Sequence, residues 1–154
     1  VALGALAAAG CGAHALGHAE HAPDMHDRGL LILATESDQL VTLDFCRDGD
    51  DSNCARVGPI SPSDSLVVYA LAPGSYCLRE ITWGYDWFGT SWHPRRPDCI
   101  DVAAGVVTYP GHLVLDGDGP HGWVRRGTAH AQFATAYPNL SALPVVLVEP
   151  HVAR

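Results

Sequence analysis

The sequence predicts an all-β protein, an antiparallel β-sandwich with one short helix and two disulfides. Three observations predict it. Short runs rich in Val, Leu, Ile, Tyr and Trp recur between clusters of Gly, Pro, Asp and Asn, which is the rhythm of strands and turns. The gaps between these runs leave no room for the crossovers that a parallel sheet needs. Four cysteines, Cys46, Cys54, Cys77 and Cys99, bracket loop-like segments in two pairs. The 154 residues are 47% apolar and 17% charged, which suits one domain with a real core and lies far from the composition of disordered chains.

The domain begins near Gly29, and Leu30 to Thr35 is its first strand, an almost continuous apolar run. Gln39 to Phe45 follows a Ser37-Asp38 turn, and Asp48 to Asn53 reads as the next turn. Ser65 to Leu71 and Tyr76 to Trp83 are joined by Pro73-Gly74. Cys99 to Ala103, Val106 to Tyr109 and His112 to Leu115 are separated by Gly105 and by Pro110-Gly111. Asp116 to Pro120 is a turn before Gly122 to Arg125, and Val145 to Glu149 is the last strand. Thr128 to Tyr137 is the one helical candidate: Thr128 is a capping residue type, Phe133 and Tyr137 share a face, and Pro138 ends the run.

Residues 1–10 form an uncharged apolar run that stops at Cys11, too short to span a bilayer as a helix and of the length of a signal-peptide core. Leu6-Ala7-Ala8-Ala9-Gly10-Cys11 resembles the lipobox of bacterial lipoproteins, with Ala8 where Leu is commonest. That resemblance implies a lipid on Cys11 and a chain anchored to a membrane on the outer side of the cytoplasm. Cysteine arithmetic agrees, since five cysteines leave one over after pairing. Of the three connectivities open to the other four, Cys46 with Cys54 and Cys77 with Cys99 is favoured. Zinc is the rival, but Cys-x2-Cys and Cys-x4-Cys spacings are absent. The expected organisation is a signal-peptide remnant at 1–10, a lipidated, His-rich tether at 11–28 and a β-sandwich domain at 29–154.

Leu71-Ala72-Pro73-Gly74-Ser75-Tyr76-Cys77-Leu78, then Val102-Ala103-Ala104-Gly105-Val106-Val107-Thr108-Tyr109 and Gly111-His112-Leu113, resemble a pattern of bacterial lipoproteins with prealbumin-like or immunoglobulin-like β-sandwiches. In that pattern a Pro-Gly turn feeds a strand with an inward Tyr, and an Ala-Gly turn feeds a strand ending in Tyr and Gly. The resemblance covers residues 65–116 and implies a fold and an envelope location; it transfers no catalytic residue.

The formal charge of −8 repels phosphate backbones, so nucleic acid is not an expected partner. All nine basic residues are arginine, which excludes a Walker A lysine and Schiff-base chemistry. Gly-x-Ser-x-Gly and His-Glu-x-x-His are absent, and no reaction is assigned. The expected partner-binding surface is the segment between Cys77 and Cys99: Trp83, Tyr85, Trp87, Trp92, His93, Arg95 and Arg96 interleave aromatic faces with donors, the residue types of binding hot spots. Its expected partner is an envelope protein or cell-wall material. Core packing is the plainer reading of Trp83, Tyr85 and Trp87.

The alternative is metal handling through His14, His18, His21 and His26, whose imidazoles suit zinc or copper; in a helix His14 and His18, and His18 and His21, would lie one turn apart. A solvated linker is the plainer reading there. Asp48 to Asn53 and Asp116 to Gly119 invite a calcium reading, but the twelfth position of an EF-hand loop would fall on Pro59 or Gly127, so ordinary turns are expected.

Overall fold

The computed structural model describes residues 13–63, 66–84 and 89–153. Cys11, residues 1–10, Tyr85 and Trp87 lie outside the described residues. The strands are β1 (His14–Ala15), β2 (Gly29–Glu36), β3 (Val41–Arg47), β4 (Asp50–Ile60), β5 (Leu66–Leu71), β6 (Gly74–Trp83), β7 (Thr90–Trp92), β8 (Asp98–Val102), β9 (Val107–Tyr109), β10 (His112–Asp116), β11 (Gly119–Val124), β12 (Val145–Leu147) and β13 (His151–Val152). One helix, α1 (Ala129–Ala136), is followed by a 3₁₀ turn at Pro138–Leu140.

The strands form two sheets. In sheet I, β5 lies between β1 and β2, and the far edge of β2 is shared by β9 and β10 laid end to end. β9 pairs with Leu30 and Leu31, and β10 pairs with Ala34 to Glu36, both parallel to β2. Pro110 and Gly111 separate them. Proline has no N–H for the ladder, and Gly111 takes φ +114°, a conformation that side-chain-bearing residues avoid. Beyond this break the edge forks, with β12 parallel to β9 and β11 antiparallel to β10. Sheet I is therefore mixed, while every pairing in sheet II is antiparallel. Sheet II runs β4, β3, β6, with β8 and β7 sharing the far edge of β6 and β13 outside β8.

The sheets pack face to face. Leu31, Leu33, Tyr69, Leu71, Leu113 and Leu115 from sheet I meet Leu43, Phe45, Tyr76, Leu78, Ile81 and Ile100 from sheet II. Tyr76 is the inward tyrosine that the Pro73-Gly74 turn was expected to feed; its hydroxyl donates to the Ala72 carbonyl at 2.7 Å and so ties the strand to its own turn. The other face of sheet I is covered as well. Leu30, Ile32, Val68 and Val107 pack against Phe133, Tyr137 and Leu140 of the helical segment. Because β2 is covered on both faces, it is apolar at consecutive positions where an outer strand alternates. The expected strand alternation appears instead in β3, buried at Val41, Leu43 and Phe45.

Two expectations change. Residues 13–28 are not a solvated tether but a strap laid on sheet I: β1 pairs with Tyr69 and Ala70, the Leu16 N–H bonds the Val68 carbonyl, and Leu16 is buried. Asn139 donates to the Ala19 carbonyl, and Met25 packs against the helix-side core. Asp50 to Asn53, read as turn, opens the longest strand, β4, and only Asp48-Gly49 makes the bend. Helix α1 forms where expected, with Phe133 and Tyr137 stacked at 6.0 Å, but Thr128 makes no side-chain cap.

Candidate functional site

The segment expected to bind a partner starts at the end of β6, where Ile81 and Trp83 are buried in the core between the sheets. Trp83 is 7% exposed and belongs to the inter-sheet core, so it is not a surface residue; an additional side chain at Gly119 would come within 3.8 Å of its ring. β7 then returns along β6, with Trp92 opposite Ile81, Ser91 opposite Thr82 and Thr90 opposite Trp83. Directly opposed residues share a face, so Trp92 stands on the core side of the sheet, at its open rim, and is 38% exposed there. On the outer side the hydroxyls of Thr82 and Ser91 are 3.2 Å apart. His93, Arg95 and Arg96 follow and are exposed, with His93 Nε2 3.8 Å from the Glu80 carboxylate. Trp92, His93, Arg95 and Arg96 are thus all exposed within five consecutive positions of the chain. Neither Arg95 nor Arg96 lies in an ion pair among the described residues.

The four strap histidines do not converge. His14, His18, His21 and His26 are all exposed, and among the described residues no three of their nitrogens come together as ligands. His18 is used structurally: its ring stacks on Tyr137 at 4.7 Å, and its Nδ1 is 2.8 Å from the Ala136 carbonyl. The one tight trio of ligand-type residues found among the described residues is Asp48 with Cys77 and Cys99, whose sulfurs are bonded to each other. The acidic carboxylates are used locally, Asp50 accepting from the Ser52 N–H at the start of β4 and Asp116 from the Asp118 N–H in the turn between β10 and β11.

Both disulfides, Cys46–Cys54 and Cys77–Cys99, form as expected. They mark a domain of an oxidising, extracytoplasmic compartment. No helix among the described residues is long and apolar enough to cross a membrane. The chain matches no family model, no curated protein and no solved structure.

Two further polar clusters were not anticipated. An open cleft of about 420 Å³ on the outer face of sheet II is lined by Asp48, Ser75, Asp101, His151 and Val152. Ser75 lies opposite Asp101 in the β6–β8 ladder, and His151 Nε2 is 3.1 Å from the Asp101 carboxylate. These are the residue types of a hydrolytic triad, but the geometry is different: the Ser75 hydroxyl is buried and bonded to no partner, whereas an activated serine needs the imidazole on its oxygen. Strand register brings these residues together, and nothing in their spacing along the chain signals it.

The second cluster lies at the β9–β10 break. Tyr109 Oη is 2.6 Å from His112 Nδ1 and also accepts the Arg126 N–H at 3.2 Å, while the Arg126 guanidinium grips both Glu36 oxygens at 2.6 and 2.8 Å. Burial holds the His112 imidazole below its ordinary pKa and raises the Tyr109 phenol. Hydrogen bonding from Arg126 lowers the Glu36 carboxyl. A neutral histidine 3% exposed is a structural lock here, joining the sheet to the entry of α1.

Proposed function

We propose that this chain is a non-enzymatic binding module of the bacterial cell envelope, lipid-anchored at Cys11, and that it captures a protein or cell-wall partner through Trp92, His93, Arg95 and Arg96. The observation that carries this reading is the exposed Trp92 at the rim of the sandwich, followed directly by exposed basic side chains on a chain whose net charge is −8. An indole face stacks on sugar rings or apolar peptide groups, and guanidinium forks pair with carboxylates. Peptidoglycan, with its alternating sugars and acidic stem peptides, offers both. Support for an envelope address comes from the disulfides and from the lipobox resemblance. Ala13 already packs against the inter-sheet core, so an anchor two residues upstream in sequence would keep the domain close to its membrane.

The test is co-sedimentation of the purified chain with peptidoglycan sacculi, together with crosslinking in envelope membranes. Wild type is expected to be retained by one of the two, and a Trp92→Ala, Arg95→Ala, Arg96→Ala triple variant to be released while keeping its circular dichroism spectrum. Equal retention of both chains would overturn this binding surface.

A further inference from the structure

The four sheet II cysteines stand in a single row. Cys54 is opposite Cys46 in the β4–β3 ladder, Cys46 is opposite Cys77 in the β3–β6 ladder, and Cys77 is opposite Cys99 in the β6–β8 ladder. Directly opposed residues project to the same face, so four sulfurs line one face of four adjacent strands. The two disulfides take the outer links of this row and leave the middle one, Cys46 to Cys77, unused.

The unused link is within reach of a disulfide. Both bonded pairs have Cα atoms 3.9 Å apart, the close, non-hydrogen-bonded type of antiparallel pair. A residue's N–H and C=O point to the same neighbouring strand, so Cys46 and Cys77 make the wide, hydrogen-bonded type, with Cα atoms typically about 5.5 Å apart, inside the span that disulfides bridge. The ends of the row also differ in access. Cys54 is exposed, whereas Cys46 is 5% exposed and Cys77 and Cys99 are fully buried. Asp48 sets a carboxylate within 4.8 Å of the Cys77 and Cys99 sulfurs, which repels an approaching external thiolate from that bond.

We propose that the row is a thiol–disulfide relay, through which a dithiol reductant acting at exposed Cys54 sets free a second thiol at buried Cys99. One thiolate of the reductant attacks Cys54 Sγ, forming a mixed disulfide and expelling Cys46 as thiolate. The reductant's second thiolate attacks its own sulfur in that bond, closes to a disulfide and leaves Cys54, which is protonated from solvent. The Cys46 thiolate attacks Cys77 Sγ; the Cys46–Cys77 bond forms, the Cys77–Cys99 bond breaks, and Cys99 leaves as thiolate and takes a proton. One dithiol is oxidised, one protein disulfide is lost, and two thiols remain, at Cys54 and at Cys99. The second thiol appears beside Asp48, at the cleft that His151 lines, and far along the row from where the reductant acted.

The test uses the full chain, with any free thiol first blocked by N-ethylmaleimide, then a limiting amount of dithiothreitol, an acid quench and iodoacetamide. Cleavage after Arg47, Arg56 and Arg79 puts the four cysteines on separate peptides for mass spectrometry. The expected product joins the Cys46 and Cys77 peptides, with Cys54 and Cys99 alkylated. Alkylated Cys46 and Cys54 beside an intact Cys77–Cys99 bond would overturn the relay. Cys54→Ser, purified without reductant, provides a second reading: a Cys46–Cys77 bond with alkylatable Cys99 supports it, and free Cys46 beside intact Cys77–Cys99 refutes it. In Cys46→Ser, Cys54→Ser the same limiting dithiothreitol should leave Cys99 unalkylated; alkylation as in wild type would also refute the relay.

Discussion

The Tyr109 hydroxyl lies 2.6 Å from Nδ1 of His112 and also accepts the Arg126 N–H at 3.2 Å. Burial holds that imidazole below its ordinary pKa. Replacing Tyr109 with Phe leaves Nδ1 and the Arg126 N–H without this partner at a site where His112 is 3% exposed. The expected loss is about 1–3 kcal/mol of unfolding free energy, read from urea titration. An unchanged midpoint would mean that solvent replaces the phenol.

Acid should weaken the fold through the same residue. Burial lowers the folded-state pKa of His112 from its ordinary 6.5, so between the two values the unfolded chain binds the extra proton. Stability from this group is therefore fully present above about pH 6.5 and lost as pH falls from there through the folded-state pKa. Unfolding free energy measured between about pH 7.5 and pH 5.5 should drop more steeply for wild type than for His112→Gln. Parallel slopes would assign the acid sensitivity to other groups.

The helical cover of sheet I rests on Phe133, fully buried between Tyr137 and β2. Phe133→Ala should cost about 3–5 kcal/mol, with cavity formation adding to the lost burial. Thermal unfolding followed by near-ultraviolet circular dichroism reports it. A shift no larger than that of an exposed-site substitution would show that the helix contributes little to the core.

Trp83 and Trp92 should separate cleanly, although both belong to the same aromatic stretch of sequence. Trp83→Ala removes a core ring and should cost about 3–5 kcal/mol. Trp92→Ala acts at the rim and should cost under about 1 kcal/mol. Matched losses in denaturant titrations would move Trp92 into the core and remove it from the proposed binding surface.

Those two tryptophans also show what was legible in the chain. β2, β5, β9 and β10 of sheet I and the β3–β6 pair announce themselves by apolar runs between turn residues, and the disulfide pairing followed from the segments they bracket. β4 was hidden because it buries only Val57 and Ile60, and its first residues have turn composition; pairing with β3, not propensity, makes it a strand. The strap was hidden for the same reason, since Leu16 is the one buried residue among a polar, His-rich neighbourhood. The row of cysteines, the cleft at His151 and the Tyr109–His112 lock depend on register between distant strands, which local patterning does not encode. By contrast, the exposed basic residues after Trp92 were readable, because charge beside proline rarely enters a core.

The strap carries one more consequence. β5, Leu-Val-Val-Tyr-Ala-Leu, combines high β propensity with no charge, and β1 with Leu16 occupies the ladder groups at Val68, Tyr69 and Ala70 that would otherwise face outward. An uncovered strand of that composition is a template for another chain to add to. The strap therefore takes up that part of the β5 ladder, and the β1 side chains it sets along the edge, His14 and Ala15, are exposed.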